Sequence, residues 1–144
     1  MVVQESSGSS AFRMLELDRG ECLELMDSVG IGRAVLSADG IPVALPVNVA
    51  VLDGDLVFCT DRGSKLDAAL RGEVVTVEAD GVDHLYRTGW SVLVTGVAEL
   101  LTEPEEVRRV SRLPLEAWAP GPHPFFVRIP ATLVSGRRLQ WGAA

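Results

Sequence analysis

The 144-residue sequence predicts a mainly β protein, an antiparallel barrel carrying a few short helices. Three observations lead there. Apolar and β-branched residues gather into about six short runs, at 31–37, 41–52, 55–60, 73–79, 88–101 and 125–139. Two of the gaps between runs hold the hairpin dipeptides Asp39-Gly40 and Asp53-Gly54, whose residues tolerate the positive φ of a two-residue turn. Helical patterns, by contrast, are short and confined to three places. Strands joined by such tight turns pair antiparallel, and a small sheet of them closes wholly or in part to remove its edges.

Each element follows in order. Residues 1–13 are mostly small or polar without periodicity and are expected to be a loose arm, so one domain is expected over 14–141. A helix should start after Asp18, with Glu21 completing a capping box, and stop at Val29-Gly30. The strands 31–37, 41–52 and 55–60 follow as two hairpins. Pro42 and Pro46 cannot donate ladder hydrogen bonds, so the second strand should have an edge or a bulge there. Ser64 is placed to cap a helix over 65–71, and Gly72 to end it. A strand over 73–79, a polar connection over 80–87 and a long strand over 88–101 come next. Thr102 is the expected cap of a third helix with Pro104, Glu105 and Glu106 in its first turn. Residues 113–124 hold four prolines and read as a loop, before a last strand region over 125–129 and 132–139, bent at Pro130.

Composition narrows the function. Hydrophobic residues make up 47% of the chain and mean hydropathy is +0.23, more than one small core absorbs, which points to an oligomer. A net charge of −7 and a pI near 4.8 argue against a nucleic-acid binder, which needs a basic face. Cys22 and Cys59 form no CxxC pair, and with two histidines a metal site is poorly supplied, so no metal is expected. The first residues show no signal-peptide pattern, and the most apolar stretch, 41–52, is too short to span a bilayer. A cytoplasmic protein without membrane association is expected.

Three stretches offer chemistry. In Thr60-Asp61-Arg62-Gly63-Ser64-Lys65 a strand ends, a Gly-containing loop turns, and a helix begins with a hydroxyl beside an ammonium. Free N–H groups at a helix start suit a phosphate, and the hydroxyls and cations would add to them. Routine capping by Ser64, with Arg62 and Lys65 as solvated charges, explains the same residues. Trp90-Ser91 at the start of a long strand could shield and hydrogen-bond a flat heteroaromatic ring, or Trp90 could simply pack. Arg137-Arg138 at a strand end could meet an anion or only water. His84 and His123 lie in loop segments, and no catalytic motif is present, so any chemistry falls to a cofactor.

Taken in order, the segments from 32 to 60, "RGSKLDAALRGEVVTVEAD", "TGWSVLVTGVAELL" and "FFVRIPATLVSGRRL" resemble the pyridoxamine 5′-phosphate oxidase-like, FMN-binding split-barrel superfamily. The likeness is to its short single-domain, nitroimidazole-resistance-like members and covers about 15–139. The resemblance implies a six-stranded antiparallel split barrel of Greek-key type, a homodimer, and FMN sites in the groove between subunits. It places Thr60, Ser64 and Lys65 on the FMN phosphate and Pro46, Val47 and Asn48 along the isoalloxazine. Trp90 and Ser91 would reach the flavin from the partner, and Arg137 would be a C-terminal contact. The implied function is a flavin-dependent oxidoreductase acting on a small molecule. A deazaflavin-dependent reductase and a non-catalytic flavin-binding module are the alternatives on this fold, while haem finds only His84. The basic strand of the true oxidases is replaced here by Pro46-Val47-Asn48-Val49-Ala50, so oxidation of pyridoxamine phosphate itself is not implied.

Overall fold

The first helix, α1 (Arg19–Val29), begins at a complete capping box: the Asp18 carboxylate accepts from Glu21 N at 2.8 Å, and Glu21 reaches back to Asp18 N. It ends at Gly30, whose φ of 70° is the left-handed conformation glycine takes most easily. The computed structural model describes residues 4–5, 12–115 and 125–141. The rest of the expected arm, most of the 113–124 loop and His123 lie outside the described residues.

Ten strands are described. They are β1 (Gln4–Glu5), β2 (Phe12–Glu16), β3 (Ile31–Ala38), β4 (Ile41–Leu52), β5 (Asp55–Thr60), β6 (Val74–Asp83), β7 (Thr88–Val97), β8 (Glu99–Leu100), β9 (Phe125–Ile129) and β10 (Leu133–Trp141). All pair antiparallel, in the open order β1-β2-β10-β7-β6-β3-β4-β5-β9-β8. Three hairpin-connected strands, β3, β4 and β5, with β6 returned beside β3, form a Greek key. The β3–β4 and β4–β5 turns are the expected Asp-Gly pairs, all four residues at positive φ between 51° and 80°.

The expected count of six strands is corrected to ten for two reasons. The expected six take residues 88–101 and 125–139 as one strand each, but the first changes partners at Ala98 and the second is interrupted at 130–132, so each divides in two. In addition, Phe12–Glu16 pairs with β10, straddling the expected 13/14 boundary, and Gln4–Glu5 pairs with it in turn. The polar connection expected over 80–87 is also shorter, because β6 runs on to Asp83, registered against Thr88.

The two other helices are α2 (Ser64–Arg71) and α3 (Pro104–Ser111). Their expected caps are corrected: Gly63 precedes α2 with φ 145° and Glu103 precedes α3, and neither helix has a side-chain cap bond. The backbone starts each helix one residue away from the hydroxyl that sequence nominated.

Alternate residues of the strands fill one core, with Phe58, Leu56, Val77, Val92, Val94 and Ile129 at most 1% exposed. Cys22 and Met26 seal one end from α1; burying a side chain the size of Met26 contributes about 1.5–3 kcal/mol. Val110 of α3 anchors a smaller cluster with Ala50, Val57 and Leu101.

Candidate functional site

The prolines of β4 mark the first half of the site. Over 41–48 the strand pairs only with β3, and from Val49 it pairs with β5. Pro42 and Pro46 thus lie where one side of the strand is unpaired, the local edge their missing N–H groups require. Asn48 sits at the changeover, half-buried and without a side-chain partner among the described residues.

The start of α2 stands against this edge. Lys65 Nζ donates to the Pro46 carbonyl at 3.3 Å, and burial pushes its ammonium below its ordinary range, with Asp61 opposing. Thr60, 3% exposed, closes β5 and donates to the Asp61 carbonyl at 3.2 Å. Ser64 is half-buried, its hydroxyl without a partner among the described residues. The first N–H groups of α2 have no intrahelical acceptor; the first turn begins with Asp67 N donating to the Gly63 carbonyl. Val47 is 3% exposed and turns into the core, so only its backbone can meet a ligand. Pro46, Val47, Asn48, Thr60, Ser64 and Lys65 therefore share one corner built from β4, β5 and α2.

The remaining candidates lie elsewhere. On β7 and β10, Ser91 and Arg137 are registered opposite one another on the outer face of the sheet. An open groove of about 680 Å³ runs over them, walled by Met14, Glu16, Leu93 and Leu139, with Trp90 at its margin. Arg137 donates only to Met14 Sδ, at 3.7 Å, among the described residues. Trp90 packs against the core, its indole lying across Gly81, where a Cβ would stand 2.6 Å from Nε1. Strands β7 and β4 are separated in the sheet by β6 and β3, so the two sets occupy different parts of a single chain.

Sequence reasoning does not identify the groove walls Met14 and Glu16, the former next to the segment expected to be an arm. It also missed Arg33, Glu78 and Asp80, which meet on the same outer face. Arg33 Nη1 donates to Glu78 and to Asp80, both at 3.0 Å. Partial burial and the neighbouring Asp80 push Glu78 above the carboxylate range; the hydrogen bond from Glu78 and the Arg33 guanidinium hold Asp80 below it. The only available signal was alternation along two strands 45 residues apart, whose register no local pattern specifies. His84 is exposed in the β6–β7 turn. Among the described residues no three His, Cys, Asp or Glu side chains could hold a metal ion, and no helix is long and apolar enough to cross a membrane.

Residues 18–138 match the family described as pyridoxamine 5′-phosphate oxidase. An uncharacterised protein of Mycobacterium tuberculosis is 39% identical over 141 residues, covering 94% of this chain and 92% of the relative. Among solved structures, the FAD-binding protein of Mycobacterium smegmatis superposes with a TM-score of 0.71 at 30% identity, covering 87% of this chain and 97% of that one. A FAD-binding protein of Mesorhizobium loti gives 0.73 at 27% identity, with 87% and 97% covered.

Proposed function

Because the chain belongs to the pyridoxamine 5′-phosphate oxidase family, we propose that it is a cytoplasmic homodimer whose single domain, residues 14–141, binds FMN and serves as a flavin-dependent oxidoreductase of a small molecule. The observation that carries this reading is Lys65, a half-buried cation at a helix start whose hydrogen bond goes to a backbone carbonyl rather than to a carboxylate. Beside it, Ser64 and Asn48 are half-buried polar groups without side-chain partners among the described residues. Buried donors of this kind call for an acceptor, and a phosphate supplies several.

In this reading Lys65, Ser64 and the first α2 N–H groups hold the phosphate, with Thr60 bracing the loop from below. The Pro46–Asn48 edge offers carbonyls and one amide to the ring. Ser91 and Arg137 come from the partner subunit, which explains why one chain holds the two sets apart, and Trp90 shapes the margin of that surface. A bound flavin would supply the electron-transfer chemistry that no side-chain constellation among the described residues provides. The two FAD-binding proteins of similar fold make FAD the second cofactor to compare.

The test is an absorbance spectrum of the purified protein before and after addition of FMN, FAD or a deazaflavin. Flavin bands retained through gel filtration are expected with FMN. Lys65→Ala should weaken binding at least about tenfold, or about 1.4 kcal/mol. Protein that stays colourless and ignores all three cofactors overturns the proposal.

A further inference from the structure

Among the described residues, glycines inside strands are Gly32 on β3, Gly81 on β6, Gly89 and Gly96 on β7, and Gly136 on β10. Glycine weakens a strand, since it brings no side chain to pack and loses the most backbone freedom on folding. All but one of these have a steric reason. A Cβ would stand 2.8 Å from the Glu78 carbonyl at Gly32, 2.6 Å from the Trp90 indole at Gly81 and 2.6 Å from Cys22 Sγ at Gly136. At Gly96 it would run into the Pro130 carbonyl. Gly89 is the exception. A Cβ there would make ordinary contacts, 3.4 Å from the Gly81 carbonyl and 3.8 Å from Val82 Cγ2, and the backbone is not at positive φ.

What Gly89 does have is a place in the open groove. Register sets it in a row with Val82 on one side and Leu139, then Met14, on the other. Two residues along β7 on the same face comes Ser91, opposite Arg137, and then Leu93, opposite Ser135. The groove is therefore lowest at Gly89 and Ser91, closed along β7 by Leu93 and bordered along β10 by Leu139 and Arg137. Alternate residues of a strand lie about 7 Å apart, so this low floor has the breadth of a flat ring. Its chemistry is one-sided. Leu93, Leu139 and Met14 are apolar, whereas Ser91 has no side-chain partner among the described residues and Arg137 donates only to the weakly accepting Met14 sulfur.

We propose that Gly89 is a specificity-determining residue of the flavin site: its missing side chain lets the flavin ring settle on β7 with its carbonyl edge turned to Ser91 and Arg137. The proposal rests on the flavin reading above and adds the residue that sets how deeply the ring sits. A methyl group at this position lifts whatever lies on the floor away from the Ser91 hydroxyl, and an isopropyl group lifts it further. Hydrogen bonds weaken steeply as they lengthen and tilt, so the ring loses its polar contacts although the strand itself loses nothing.

The test pairs urea denaturation with FMN titration for Gly89→Ala and Gly89→Val in the full chain. Both variants should unfold at the wild-type urea midpoint or above it. FMN affinity should fall at least about tenfold in Gly89→Val, the scale of one lost hydrogen bond, and by less in Gly89→Ala. The visible band of the bound flavin, which reports the surroundings of the ring, should move toward that of free FMN. Should Gly89→Val alone unfold early, Gly89→Ala carries the same comparison. A lower midpoint in both variants shows that the fold needs this glycine and overturns the proposal, as does FMN binding equal to wild type, or a weaker affinity with the band unmoved. Wild-type protein that binds no flavin at all overturns the flavin reading along with it.

Discussion

At Gly136 the backbone of β10 passes beneath α1 so closely that a Cβ would stand 2.6 Å from Cys22 Sγ and 3.1 Å from the Ser91 carbonyl. Neither neighbour is free to retreat, as Cys22 is fully buried and the carbonyl belongs to the central sheet. Gly136→Ala is therefore expected to lower stability by about 1–3 kcal/mol, read from urea denaturation. Gly96 is constrained in the same way by the Pro130 carbonyl, where the link between β9 and β10 crosses β7. Sequence alone does not mark these glycines, because their partners lie far along the chain. Ser64 and Lys65 were legible, since a helix start with a hydroxyl and a cation is a local pattern. What remained hidden was that Ser64 does not cap, which leaves its hydroxyl available to a ligand.

Among elements, α1 and the hairpin strands were readable nearly to the residue. Their limits are written in local chemistry: the Asp18–Glu21 box, Gly30, and two Asp-Gly turns. The long range of β6 and the partner changes at Ala98 and over 130–132 were not, because they depend on which strand lies alongside. One tie between elements is likewise invisible in sequence. Asp27 on α1 accepts from Val51 N of β4 at 2.9 Å, fastening the helix to the strand that carries Pro46 and Asn48. Asp27→Ala removes that acceptor and should cost about 1 kcal/mol of stability, measured by thermal or urea unfolding. If the strand is also loosened, FMN affinity should fall along with it in a parallel titration.

For the whole molecule, the proposed dimer, with its site shared between two subunits, makes a stoichiometric prediction. Lys65→Ala and Arg137→Gln subunits should each bind flavin poorly. Mixed through reversible unfolding, half of the dimers become hybrids, and each hybrid has one site with both residues intact and one with neither. Such a mixture should regain about a quarter of wild-type sites at full affinity; no recovery would show that both residues serve the same subunit's site. The half-paired β4 bears on the molecule's solubility too. A strand edge with unpaired donors and acceptors is a template on which other chains can extend a sheet into aggregates. Pro42 and Pro46 remove two donors from this stretch, and Lys65 already occupies the Pro46 acceptor. The same prolines that keep an edge open beside the proposed cofactor site thus make it a poor seed for fibrous assembly, so access for a ligand need not bring a tendency to aggregate.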